Sequence, residues 1–327
     1  MDLKLSGYNI DSVFALNGYD ENSATYAFGW VLSKSRALLQ TTISDFFQLH
    51  FNPKQTHIDL QKYGTTDKGF TDIEIRCPNV CHIIVEAKRD WTLPSNEQLE
   101  KYSGRFSADP TPNPLIVSLS AASQEYAECY LPQTINNIPL VHRSWADLRL
   151  LVREAYKRTN SYVEKLWLYE LEIHLKGYVS MRNPKDNEAF VVVLSHKPTR
   201  QDGDYTFIDV VEKDGRYFHP IGHPFPAIPP NYMAFRYDGE LRSVHHVDSY
   251  EVVTNLSSYN KNWMETDNDH FVYKLGPAMK PPITIKNGGI YNTGRLWCAI
   301  DTLLSGAYAT IKDARDETKS RKEVLGE

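Results

Sequence analysis

The residues around Pro78-Asn79-Val80 constrain this chain more than any other stretch. On either side, Thr71-Asp-Ile-Glu-Ile-Arg-Cys77 and Cys81-His-Ile-Ile-Val-Glu-Ala-Lys88 follow the two-residue period of a strand. A three-residue turn is a common hairpin connection and sets Cys77 opposite Cys81. One face then carries Ile73, Ile75, Cys77, Cys81, Ile83, Val85 and Ala87 and is entirely apolar. The other carries Asp72, Glu74, Arg76, His82, Ile84, Glu86 and Lys88. A one-residue slip would put Asp72 against Val85 and divide the polar set between the two sides of the sheet. Packing and polar grouping therefore specify the same register.

In that register Asp72 falls opposite Glu86. Two carboxylates so placed cost a sheet roughly 0.2 to 1 kcal/mol before desolvation, so a positive group should sit between them. Oxygen ligands on neighbouring strands suit Mg²⁺, with Mn²⁺ as substitute, and such a site takes its other ligands from water and substrate phosphates. Lys88, on the same face, is placed to orient an attacking water or to neutralise charge growing on a phosphate. The plain alternative is a solvated polar face with ordinary ion pairs, which is common in sheets.

Downstream, Gln98-Leu-Glu-Lys-Tyr102 spaces Gln98 and Tyr102 by four residues, which puts both on one helical face. Taken together, Asp72, Glu86-Ala87-Lys88 and this element resemble the PD-(D/E)XK phosphodiesterase superfamily, in its RecB-like branch with a Gln-x-x-x-Tyr element. Thr71 stands where that motif has proline, and the matched part covers residues 70 to 102. The resemblance implies an α/β restriction-endonuclease-like core, a mixed central sheet flanked by helices. It implies catalytic roles for Asp72, Glu86 and Lys88, a substrate-positioning or supporting role for Gln98, and a packing or DNA-facing role for Tyr102. It also implies a helix before the sheet, often with a glutamate that helps hold the metal. Asp20-Glu21-Asn22-Ser23 opens an apolar-periodic segment reaching about Phe47, which makes Glu21 the candidate metal ligand. Glu21 would equally favour the helix dipole there. Arg89 and Lys101, with Arg105, are the cations expected to meet phosphates.

Past Tyr102 the alternation of strand and helix continues to Lys176-Gly177, a natural helix stop, so residues 1–177 form the first expected domain. From Tyr178 the pattern changes to short β-rich runs separated by Gly, Pro, Asn and Asp. Phe190–Leu194, Tyr205–Val211, Tyr232–Tyr237, Leu241–Val247 and Ser249–Val253 read as strands, with Asp238-Gly239 as a tight turn. Residues 178–327 are therefore expected to form a small barrel-like domain, a target-recognition or sensor module, covered by a helix from about Cys298 to Arg315 with a fraying tail. Tyr232, Phe235, Arg236, Tyr237 and Trp263 are either core or the lining of an aromatic pocket. His219, His223, His245 and His246 lack a complete zinc spacing.

A formal charge of −5 disfavours a generic nucleic-acid coat, although local fields matter more at a metal site. Cys77, Cys81, Cys129 and Cys298 read as reduced core residues, and the cysteine grouping of an iron–sulfur nuclease is missing. No apolar run approaches the roughly 20 residues that span a bilayer, and the N-terminus lacks a signal peptide's apolar stretch. A cytoplasmic protein without membrane contact is expected. The leading expectation is a Mg²⁺-dependent nuclease, DNA before RNA and endonuclease before exonuclease, and by analogy with two-part nucleases placed in bacterial restriction or anti-phage (antiviral) defence. The alternative is a non-catalytic or partner-gated nucleic-acid or nucleotide sensor retaining the fold. Monomer or homodimer, and a small-molecule or protein ligand of the C-terminal domain, stay open.

Overall fold

The computed structural model describes residues 3–5, 8–18, 21–49, 51–64, 68–108, 111–179, 187–201, 203–222, 224–291 and 294–325. The chain divides into two compact units, Met1–Met181 and Arg182–Glu327. In the first, a ribbon of β1 (Lys4–Leu5) and β2 (Tyr8–Asn9) precedes α1 (Glu21–Lys34), α2 (Arg36–Phe46), β3 (His57–Tyr63), β4 (Phe70–Cys77) and β5 (Cys81–Ala87). Then come α3 (Asn96–Ala108), β6 (Pro114–Ser120), α4 (Gln124–Tyr130), β7 (Thr134–Ile135), β8 (Ile138–Ser144), α5 (Trp145–Arg158) and α6 (Tyr162–Val179). The single helical segment expected up to Phe47 is two helices, because Ser35 leaves helical backbone and its Oγ accepts the Leu38 N–H, capping α2. Asp20 lies outside the described residues, and α6 runs past the expected stop at Gly177.

Six strands form a mixed sheet in the order β3-β4-β5-β6-β8-β7, antiparallel from β3 to β5, parallel from β5 to β8, and antiparallel between β7 and β8. The hairpin has the register read from its alternation, with Cys77 opposite Cys81 and Ile73 opposite Val85. Its apolar face packs with Phe28, Leu32, Leu38 and Ile43 of α1 and α2 and with Trp145 and Leu168 of α5 and α6. The opposite face is not solvated. Ile84 packs there with Leu99, Tyr102 and Phe106 of α3, and Glu74 and His82 are fully buried. A helix on each face makes the charged residues of this sheet interior groups, which must be paired or used.

Glu74 shows the paired case. Its Oε1 accepts from Arg105 Nη1 at 2.6 Å and from Thr71 Oγ1 at 3.1 Å, and its Oε2 lies 2.9 Å from Arg76 and 3.3 Å from Lys62. Burial pushes this carboxyl up, but His82, Arg105, Lys62 and Arg76 together hold it well below the usual range. Arg105, expected among the phosphate-facing cations, is instead buried and spent on Glu74, with further bonds to the carbonyls of Lys62 and Gly69.

The second unit holds β9 (Glu188–Val193), α7 (Phe207–Glu212), β10 (Arg216–Pro220), β11 (Tyr232–Tyr237), β12 (Glu240–Val253), α8 (Leu256–Tyr259), β13 (His270–Leu275), β14 (Leu296–Ala299), α9 (Ile300–Leu304) and α10 (Ile311–Leu325). Its six strands lie in the order β10-β13-β12-β11-β9-β14, with β9 and β11 parallel, and the sheet is open. The expected barrel is therefore a mixed α/β unit. Closure would need β14 to meet β10; instead the Ala299 N–H at the end of β14 is taken by Thr318 Oγ1 of α10. The run Tyr205–Val211, read as a strand, forms α7, since Thr206 and Asp209 make a reciprocal capping box that starts a helix. The single closing helix expected near Cys298–Arg315 is β14, α9 and α10, and the tail stays helical to Leu325. Phe235 and Trp263 are fully buried and Tyr232 and Arg236 nearly so, which assigns four of the five pocket candidates to the interior. Cys129 is exposed, unlike the other three cysteines, and all four are free. His219 and His245 are engaged in hydrogen bonds to neighbours within the unit, and His223 lies outside the described residues. No described helix is long and apolar enough to cross a membrane.

Candidate active site

The β4–β5 ladder ends at Ile73 and Val85, one position short of Asp72 and Glu86. Asp72 does not continue it. Its Oδ2 accepts the Ala87 N–H at 2.7 Å and its Oδ1 accepts Gln61 Nε2 at 2.7 Å. Gln61 sits within β3 at φ 46°, a left-handed conformation uncommon for a non-glycine residue, and also reaches Asn22 at 3.3 Å. Two donors thus fix the Asp72 carboxylate where the strands part.

Glu86 is 3% exposed. Lys88 Nζ and Gln98 Nε2 both donate to its Oε1, while Oε2 is buried and has no hydrogen-bond partner. Burial first, and then the charge of Asp72, push its carboxyl up to about 7 against the pull of Lys88 and of the nearby Tyr102 hydroxyl. Gln98 Nε2 also donates to the Tyr102 hydroxyl at 3.2 Å, and that hydroxyl donates to the Phe70 carbonyl at 2.8 Å. Ser95 Oγ accepts the Gln98 N–H at 3.2 Å near the start of α3, fixing the turn from which Gln98 projects. A chain of bonds therefore runs from β4 through α3 to Glu86.

Glu21 opens α1 beside this group. Its carboxyl is raised by burial and by Asp72, and lowered by Lys88 and by a hydrogen bond from the Arg89 backbone. The structure so brings together Asp72, Glu86, Lys88, Gln98 and Glu21. Tyr102 adjoins the group through Gln98, and Arg89 through its backbone contact with Glu21. Tyr102 is 3% exposed and packed in the core, so its place is to hold Gln98 and the Phe70 backbone, and a DNA-facing ring is not what the structure shows. Lys101 is exposed and pairs with Glu97 at 3.0 Å, and Arg89 is exposed with its Nε 3.5 Å from Asp90. Gln61 was missed by sequence reasoning, although the apolar alternation of Ile58 and Leu60 marks its strand.

The residues present fit a divalent cation. Among the described residues no three His, Cys, Asp or Glu side chains form a ready-made metal cage. Magnesium does not require one, since it is commonly held by one or two carboxylates with water and phosphate completing its shell. The orphaned Glu86 Oε2 beside a second carboxylate is the position such a cation would satisfy.

The second unit contains a cavity of about 800 Å³ lined by Glu212, Tyr237, Arg242, Ser243, His245 and Lys280, among others. The Arg242 guanidinium lies 4.8 Å from the centre of the Tyr237 ring, and Tyr237 donates its hydroxyl proton to Glu212. Its volume falls in the range of small-molecule sites. Comparisons of the chain with protein-family models, with curated proteins and with solved structures found no match.

Proposed function

We propose that the first unit is a metal-dependent phosphodiesterase with a restriction-endonuclease-like core, a nuclease acting on DNA in preference to RNA. The observation that carries this reading is the buried, unpartnered Oε2 of Glu86 standing beside Asp72, with Lys88 and Gln98 committed to the other oxygen. Two carboxylates kept together inside a protein with one lysine to neutralise them are costly, and such arrangements cluster at sites that use the charge. Asp72 and Glu86, with Glu21 alongside, would hold Mg²⁺ or Mn²⁺. When bound, that cation supplies Lewis-acid stabilisation of the phosphate and lowers the pKa of water.

The chain's own groups do the remaining work. Gln98 and Lys88 fix Glu86 in one rotamer. Lys88 puts an ammonium beside the reacting phosphate, where it orients the incoming water and offsets the charge that grows on the phosphate oxygens. Gln61 and the Ala87 amide hold Asp72 still, so little reorganisation is needed during reaction. The cavity beside Arg242 supports a ligand-sensing or target-recognition role for the second unit.

The test incubates wild type and the Asp72→Ala, Glu86→Ala and Lys88→Ala variants with linear and circular duplex DNA, single-stranded DNA and RNA, in Mg²⁺, Mn²⁺ or EDTA. Wild type should cut only with metal, and all three variants should lose cleavage while keeping the wild-type circular dichroism spectrum. Metal affinity should fall mainly in the two carboxylate variants. Cutting that survives all three substitutions would sink the site.

A further inference from the structure

The β3–β4 ladder ends in a pair of exposed aromatic residues. Tyr63 and Phe70 are direct cross-strand partners with ring centroids 5.0 Å apart, and they are 50% and 55% exposed. Their backbones are tied to the proposed catalytic group from both sides. Gln61, two residues before Tyr63, donates to Asp72, which itself stands two residues after Phe70. The Phe70 carbonyl accepts the hydroxyl of Tyr102, which in turn receives Gln98, the residue that holds Glu86. Two residues of extended chain span roughly 7 Å, the reach from a backbone phosphate to a neighbouring base. Mutual contact covers part of each ring and leaves the rest to solvent. The exposed Lys68 belongs to the connection between the same two strands, adding positive charge where a phosphate backbone would run.

Resting on the phosphodiesterase reading above, we propose that Tyr63 and Phe70 form a stacking ledge for an unpaired nucleobase beside the scissile phosphate. The substrate at the cut is then a strand with unstacked bases, such as single-stranded DNA, a flap or a frayed end. A base inside an uninterrupted duplex has both faces covered by its neighbours and has none to offer an aromatic ring. An unpaired base stacks on such a ring whatever its identity, so the ledge selects strandedness and tolerates sequence.

The experiment uses the full-length Lys88→Ala protein, which should bind without cutting, and single-stranded DNA in which 2-aminopurine is moved one position at a time. Phe70→Leu keeps an apolar side chain on the hairpin and removes the π face, and Tyr63→Leu removes the π face together with the hydroxyl. The ledge predicts fluorescence quenching confined to one or two positions and abolished by the leucine substitutions. Affinity for the single strand should fall about tenfold, and affinity for blunt duplex less than about twofold. The same dependence on an RNA strand would also support the ledge, with the sugar left unread. Unchanged single-strand affinity and unchanged quenching in both leucine variants would overturn it. The two readings fail separately. Lys88-dependent cutting with unaffected leucine variants removes only the ledge, whereas position-limited quenching in a protein that cuts no substrate removes only the nuclease.

Discussion

Glu86 is held under two opposed demands. Its charge is needed for the proposed chemistry, yet the fold resists it, with a carboxyl pushed from an ordinary 4.5 to about 7. A folded pKa above the unfolded one means stability that is present below the ordinary value and is lost as pH rises through about 7. At pH 8 the burden is of order 3 kcal/mol, since each pKa unit corresponds to about 1.4 kcal/mol. Glu86→Gln should therefore raise the thermal midpoint of the first unit in EDTA by several degrees, while abolishing both cleavage and any Mg²⁺-induced rise. A midpoint below wild type would show that the side chain is structural. Arg105 gives the converse case. Removing one partner of its buried contact with Glu74 should cost roughly 3 to 5 kcal/mol in Arg105→Ala, read from urea unfolding. Lys101→Ala, which breaks one exposed pair within a helix, should change stability by less than about 0.5 kcal/mol.

At the scale of elements, β10 carries a pH response. The His219 ring stacks on Phe225 at 4.7 Å, its Nδ1 donates to the Pro220 carbonyl at 2.8 Å, and its Nε2 accepts the Tyr273 hydroxyl at 2.9 Å. The ring is neutral, and burial above all holds its pKa down to about 4. The unfolded chain takes the proton first, so the second unit should weaken as pH falls from about 6.5 towards 4, by up to roughly 3 kcal/mol. Urea midpoints at pH 7.5 and pH 5 should differ less in His219→Gln than in wild type; an equal difference would place the response elsewhere. Strand pairing was legible where alternation was strict, as in the hairpin from Ile73 to Val85, because a slip there would turn charged side chains onto the wholly apolar face against α1 and α2. Other features were not legible. Thr206 and Asp209 override the β-branched residues of α7 through a reciprocal cap, and Val247 and Ser249, read as ending one strand and opening another, lie in a single β12 joined across a bulge. The grouping of Asp72, Glu86, Lys88 and Gln98 was visible because its members lie close in sequence. The Arg105 contact with Glu74 was hidden, since nothing local says which helix covers which strand.

Each unit has apolar clusters of its own among the described residues, the first around Phe28, Ile73 and Trp145 and the second around Phe190, Phe235 and Tyr273. Each unit has an apolar interior of its own, which predicts that residues 1–181 and 182–327 expressed apart each melt cooperatively by circular dichroism. Only the first should be stabilised by Mg²⁺. A sloping, non-cooperative melt from either piece would show that the halves depend on one another. Where the two pieces melt independently, no single melting temperature describes the intact chain. A calorimetric trace with two peaks becomes an address label: a compound that moves only the later-assigned peak of residues 182–327 must bind there, whatever its chemistry and whether or not anything is cut.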